Sequence, residues 1–158
     1  MTKEAVLMII KPDGLNKQFT GEILSKFAKA HLQIIAARLT RATRKQAEAH
    51  YQNIQGRPFF EEAATFLMGQ FHRQKEILLV VYYGENAIRK CRDLAGATDP
   101  REASRQSIRG LYGCVTSDGV FENVVHVSSS KKDAEREIKL WFKPGEIMNT
   151  PVRKRIWK

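Results

Sequence analysis

Of the four histidines in this 158-residue chain, His31, His50, His72 and His126, one stands where chemistry is easily arranged. His126 lies near the end of a β-branched run, Asn123 to Val127, just before three serines and the start of a helical pattern. Strand ends beside helix N-termini attract anions, because unpaired backbone N–H groups point outward there. A lone histidine is usually structural, and the other three are read that way. Downstream, Ala134, Ile138, Trp141 and Phe142 form an apolar helical stripe, and Glu137 falls on the same face. An inward carboxylate needs a partner. Either Glu137 borders the stripe and reaches solvent, or it folds back onto His126. In the second case it fixes the imidazole tautomer and leaves the other ring nitrogen nucleophilic.

Arginines supply the next element. Arg92, Arg101, Arg105 and Arg109 fall on one helix end and an irregular stretch, mixed with Gly96, Thr98, Ser107 and Gly110. Guanidinium forks match phosphate oxygens, and glycines let backbone approach a ligand. With an activated histidine these groups point to phosphoryl transfer. The Walker A spacing does not occur in the sequence, so this is not a P-loop protein. In Arg57-Pro58-Phe59-Phe60, one ring suits the core and the other is free to stack on a nucleobase.

The elements that must hold these groups are legible from periodicity. Ala5 to Ile10 is an apolar strand closed by a Lys11-Pro12-Asp13-Gly14 turn. Ile23, Leu24, Phe27 and Ala28 recur at helical spacing behind Thr20, a candidate N-cap. Leu32 to Thr40 reads as a second strand, Lys45 to Ile54 and Phe60 to Met68 as helices, and Ile77 to Tyr83 as a central strand. Glu85 to Leu94 is helical. From Gly96 to Glu122 the pattern fails, and long loops in compact domains are usually functional. The last helix opens at Ser130, with Asp133 completing a capping-box pattern. The order implies an α+β or α/β sandwich, a sheet covered by helices.

Composition sets the outer limits. The length suits one globular domain, with 42% hydrophobic and 28% charged residues. No apolar run is long enough to span a bilayer, and the N-terminal one is too short for a signal-peptide core. Cytoplasmic residence follows as the expectation, with Cys91 and Cys114 as free thiols. The net charge is +10, and Lys143, Arg153, Lys154, Arg155 and Lys158 face one acid, Glu146, in the last sixteen residues. The chain divides accordingly into a domain over 1–142 and a basic tail over 143–158. Such a tail is either solvated or suited to polyanions, nucleic acid among them.

Five segments resemble, in order, those of nucleoside diphosphate kinases. They are Lys11-Pro12-Asp13-Gly14, Arg57-Pro58-Phe59-Phe60, Gly96-Ala97-Thr98-Asp99-Pro100, Ser107-Ile108-Arg109-Gly110 and Asn123-Val124-Val125-His126. The resemblance runs from about Ala5 to Phe142 and implies a ferredoxin-like βαββαβ core with a four-stranded antiparallel sheet. It implies homo-oligomers, hexamers or tetramers, and a ping-pong exchange between nucleoside tri- and diphosphates. By the same resemblance His126 is the phosphorylated histidine, Glu137 orients it, and Ser128 joins their hydrogen-bond network. Lys11 and Asn123 hold the ribose hydroxyls, and Lys11 also approaches the phosphate. Tyr51 lines the transfer site, Arg92, Thr98 and Arg109 meet the phosphates, and Phe59 stacks on the base. Magnesium, Mg2+, is expected to travel with the nucleotide.

This sequence departs from the family pattern in three places. Val127 replaces a small residue and is expected to add bulk beside the nucleophile. Ser129 removes a carboxylate that the family often has near the metal. The segment from Leu111 to Glu122 is a few residues longer than the common form. A catalytically weak nucleotide- or nucleic-acid-binding regulatory module on the same fold is the competing expectation.

Overall fold

The apolar run near the N-terminus becomes β1 (Lys3–Ile10), whose last six residues are buried because both faces of the strand are covered. The computed structural model describes residues 2–158. Its main sheet has the order β2 (Gln33–Arg41), β3 (Glu76–Glu85), β1, β6 (Val125–Val127), and every pairing is antiparallel. This is the four-stranded ferredoxin-like α+β arrangement, with β3 and β1 central. The period-two alternation of β1 sorts its side chains into two cores. Leu7 and Ile9 join Ile35, Leu79, Ile138 and Trp141 on one face. Val6, Met8 and Ile10 join Phe27, Val80, Cys91 and Val125 on the other.

Helices close both faces. On the first lie α3 (Arg44–His50), α4 (Phe60–Leu67), α7 (Lys131–Trp141) and α8 (Thr150–Ile156). On the second lie α1 (Pro12–Asn16), α2 (Thr20–Ala28), α5 (Ala87–Ala95) and α6 (Ile108–Tyr112). Local chemistry sets several ends. Thr43 and Gln46 form a capping box at α3, and Ser130 accepts from the Asp133 N–H at α7. The Asp133 carboxylate there takes the hydroxyls of Ser129 and Ser130, so the reciprocal half of a capping box does not form.

Several expected elements are refined. The Lys11-Pro12-Asp13-Gly14 turn is a short helix, α1, with proline at its first position, where a missing N–H costs nothing. The helix at Thr20 has Phe19 as its cap, with no side-chain bond. The run from Lys45 to Ile54 stops as α-helix at His50 and finishes as a 3-10 turn, Gln52–Ile54. The stretch from Gly96 to Glu122 is not irregular throughout. It contains α6, capped by Ser107, and a small hairpin of β4 (Cys114–Val115) and β5 (Phe121–Glu122). Short elements carry too few apolar repeats for periodicity to register. Gly96 has a φ of +84°, and a Cβ there would collide with the Ser107 side chain, so this turn requires glycine.

The last sixteen residues, read from charge as a basic tail, place Ile147, Val152 and Ile156 in the first core. The Met148 N–H donates to the Ile35 carbonyl at 2.8 Å, and Arg155 lies 3.1 Å from Glu135. Spacing of apolar residues, which charge counting ignores, decides that packing. Among the described residues no helix is long and apolar enough to cross a membrane.

Candidate active site

β6 pairs with β1 so that His126 stands opposite Ile9. Alternation sends Val125 and Val127 into the second core and His126 to the opposite face. The expected crowding of the nucleophile by Val127 therefore does not occur, because its side chain packs on the far side of the sheet. The strand is shorter than its apolar run. Val124 adopts a φ of 58°, an outlier for a β-branched residue, and breaks the ladder after Asn123. Two bonds hold this kink. The Val124 carbonyl accepts from the Lys11 N–H at 2.8 Å, and its N–H donates to Asp13 Oδ2 at 2.9 Å. Gly14 leaves room for it, since a Cβ would lie 2.9 Å from Ile10 and 3.1 Å from the Val124 carbonyl.

The kink aims Asn123 and His126 into one cleft of about 490 Å³. Lys11, Tyr51, Phe59, Thr98, Asn123, His126 and Glu137 all line it, so most of the sequence-predicted residues converge. Glu137 folds back onto His126 and does not reach solvent. Its Oε2 lies 3.0 Å from His126 Nε2 and accepts from the Ser128 hydroxyl at 2.6 Å. Ser128 is wholly buried and also accepts from the Leu7 N–H at 3.2 Å, which ties the pair to β1. Burial pushes the Glu137 carboxyl up, but the imidazole and hydroxyl beside it bring it below its usual range. An ionised Glu137 accepts from His126 Nε2–H, which leaves the lone pair of a neutral ring on Nδ1.

Lys11 is 7% exposed, and its Nζ donates to Asn123 Oδ1 at 2.5 Å while lying 4.5 Å from the centre of the Phe66 ring. Burial lowers its pKa to about 8. The Asn123 side-chain amide in turn donates to the Thr98 carbonyl at 2.9 Å. Burial also raises the Tyr51 phenol above its ordinary range.

Arg92 and Arg109 do not line the cleft. The Arg109 fork donates to the Gly96 and Val125 carbonyls, each at 2.8 Å, and so ties the α5 end to β6. Burial lowers its pKa to about 10. Arg92 is exposed on the last turn of α5.

Three contributors were not legible as site residues. His50, assigned a structural role by sequence, is buried 4.3 Å from the His126 ring, centre to centre, and lines the cleft. Its Nδ1 accepts from Trp141 Nε1–H at 3.2 Å, so the neutral ring carries its proton on Nε2. Burial, then the neighbouring His126, lowers its pKa and keeps it neutral. Asp133 accepts from Ser129 Oγ at 2.5 Å, so a carboxylate lies next to Ser129, which lines the cleft. That hydrogen bond holds Asp133 below its ordinary range. Phe121 and Val120, from the β4–β5 hairpin, complete the lining. The signal for Asp133 was its position four residues after Ser129, one helical turn away.

His50, His126 and Glu137 are the group of potential metal ligands found among the described residues. Two of the three are nitrogen donors, a poor match to magnesium, which takes oxygen ligands. The proton on His50 Nε2 and the Glu137–His126 bond further occupy the set. A resident magnesium site does not fit these residues.

The cleft, with its carboxylate-oriented imidazole beside a buried lysine, defines a phosphotransferase acting on nucleotides. The family model for nucleoside diphosphate kinase matches residues 4–147. The chain belongs to the nucleoside diphosphate kinase family, whose reaction passes the γ-phosphate of a nucleoside triphosphate to a nucleoside diphosphate. It is 41% identical over 144 residues to the nucleoside diphosphate kinase of Pyrococcus furiosus, covering 91% of this chain and 86% of that one. It is 40% identical over 149 residues to that of Legionella pneumophila strain Lens, covering 94% and 99%. Among solved structures, the Aquifex aeolicus nucleoside diphosphate kinase superposes with a TM-score of 0.82 at 34% identity, covering 92% and 99%. The Borrelia burgdorferi enzyme, solved as a transition-state mimic with vanadate and ADP, superposes with a TM-score of 0.83 at 28% identity, covering 93% and 91%.

Proposed function

We propose that the transfer runs in two half-reactions through a phosphohistidine on His126 Nδ1. The observation that carries this reading is the 3.0 Å bond from Glu137 to His126 Nε2, which leaves Nδ1 as the free nucleophile. The Nδ1 lone pair attacks the γ-phosphorus, an N–P bond forms, and the bond from phosphorus to the bridging oxygen breaks. The diphosphate leaves with that electron pair. A terminal oxygen of a second nucleoside diphosphate then attacks the same phosphorus and breaks the N–P bond. Ser128 and Glu137 act as positioning residues, holding the ring through both steps.

Lys11, Thr98 and Tyr51 line the path of the phosphates, and the charge on Lys11 offsets the charge of the group in transit. Asn123 and Lys11 take the ribose hydroxyls. Phe59, 52% exposed at the cleft, stacks on the base, while Arg92 and Arg109, given to the phosphates by the resemblance, do not line the cleft. The vanadate and ADP bound by the Borrelia burgdorferi enzyme support a nucleotide in this cleft. A divalent cation such as magnesium, carried with the nucleotide and not held by the protein, would supply neutralisation of the phosphate charge. Cytoplasmic residence is part of this reading, and the free thiols of Cys91 and Cys114 support it. Assembly as a homo-oligomer is part of this reading, and the edge strand β2, where Ile34 and Leu39 are 53% and 57% exposed, supports it.

Incubation with γ-labelled ATP tests the central step. An acid-labile, base-stable label that is absent from His126→Ala is the expected result. An unlabelled wild-type protein would refute it.

A further inference from the structure

One helix face holds both imidazoles of the site. Glu137 and Trp141 lie one turn apart on α7 and share its buried face. Glu137 Oε2 is 3.0 Å from His126 Nε2, and Trp141 Nε1–H donates to His50 Nδ1 at 3.2 Å. His50 closes α3, and that end of the helix is fastened to α7 a second time. The Arg136 guanidinium donates to the Ala49 and His50 carbonyls at 2.9 and 3.3 Å. The His50 ring is thus fixed from two sides, yet the two half-reactions give it no task.

With Nδ1 taken by Trp141, the ring has one polar group left, its Nε2–H. His50 is 1% exposed, and its Nε2 has no hydrogen-bond partner among the described residues. A buried donor without an acceptor is costly, so its neighbour matters. That neighbour is aromatic. The His50 and His126 ring centres are 4.3 Å apart, with 75° between their planes, an edge-to-face contact. An N–H set against a π-face makes a weak bond, because the face of a neutral ring is electron-rich. Bonding phosphorus to Nδ1 while Nε2 keeps its proton makes the His126 ring imidazolium-like, and the donor hydrogen is then repelled. Burial, then His126, keeps His50 neutral, so it opposes that ring as a dipole and not as a second charge. Glu137 acts in the opposite sense, since its carboxylate attracts a positive ring.

We propose that His50 is a positioning residue that sets the transfer potential of the phosphohistidine: its Nε2–H lies against the face of His126, favours the free ring and disfavours the phosphorylated one. This rests on the phosphohistidine reading above and adds no step to it. The N–P bond forms, the bond from phosphorus to the bridging oxygen breaks, and the ring keeps its Nε2 proton toward Glu137. Exchange between two nucleotides needs an intermediate close in free energy to both. Glu137 alone would deepen it into a trap, and His50 offsets part of that pull.

The test is an equilibrium. The full chain is incubated with γ-labelled ATP and ADP at fixed ratios, quenched in base, and the phosphorylated fraction is counted. His50→Phe keeps a ring but has no N–H, and it is expected to raise the ratio of phosphorylated to free protein about threefold. A merely structural role would slow both directions equally and leave that ratio where it is. Trp141→Phe, which releases the His50 tautomer, should shift the ratio the same way by less, and it serves as the test if His50→Phe does not fold. An unchanged or lowered ratio in a folded variant would overturn the proposal. The two readings fail separately. A wild-type protein that takes no label breaks the phosphohistidine step, and this inference with it. A labelled protein whose variants keep the wild-type ratio breaks the role of His50 alone.

Discussion

The floor of the cleft and its hairpin wall are built to different tolerances. At the floor, Glu137 is bonded to both His126 and Ser128, and Ser128 is bonded to β1, so three elements fix one ring. The wall rests on two strands of two residues each, fastened mainly through one half-buried carboxylate, Glu122. In-line attack on phosphorus needs sub-ångström placement, which only a packed core supplies. The part of the site proposed to perform the chemistry is therefore anchored in the core, and the hairpin wall is carried on a loop.

That contrast can be broken most directly at the nucleophile. His126→Ala should lower nucleotide phosphate exchange on the order of 10⁴-fold or more, measured in a coupled assay, with the thermal midpoint little changed. Glu137→Gln comes next, slowing phosphoenzyme formation about 10²-fold in rapid-quench labelling while ADP affinity is kept. Unchanged kinetics would show that the carboxylate does not orient the ring. Asp13→Ala probes the support under the floor. It leaves the Val124 N–H unpaired, so urea unfolding should reveal a loss of about 1–3 kcal/mol.

Two weaker effects sharpen the comparison. Lys11 carries its charge below about pH 8 and loses it as the pH rises through that value. ADP affinity should therefore fall across that range, and Lys11→Met, weaker throughout, should lose the break. The smallest effect belongs to the hairpin. Burial alone would raise the Glu122 carboxyl, but its bonds from Lys17 and His72 bring it down to about 2, from an ordinary 4.5. A depressed folded pKa stabilises above the ordinary value and fades as the pH falls toward 2. Glu122→Gln should flatten the stability profile in that window by less than ~1 kcal/mol, read from acid denaturation followed by circular dichroism.

Much of the site was legible because it is written in residue types at short range. Glu137 lies eleven residues after His126, within one strand-to-helix connection, and a helical wheel puts it on the apolar face, although the choice between bordering that stripe and folding onto His126 fell to the structure. The ordered motifs identified the family and carried the fold with it. The hairpin was not legible, since Cys114–Val115 and Phe121–Glu122 are too short for alternation to stand out. Nor was the burial of the last helix, because its basic residues mask the apolar spacing of Val152 and Ile156. The side to which Val127 points depends on strand register, which goes with the kink at Val124 that Asp13 and Lys11 hold from distant parts of the chain.

Sequence by itself singled out His126 and Glu137 as candidates from residue type and spacing within a few residues, and its ordered motifs gave the family, whose resemblance implied the antiparallel sheet. Tertiary structure decided the bond from Trp141 that makes His50 a donor, the carboxylate of Asp133 held beside Ser129 and the use of Arg109 as a tie between carbonyls. It also decided the presence of Phe121 in the cleft. These depend on contacts between residues far apart in the chain, whose partners are chosen by packing and by the need to satisfy buried polar groups.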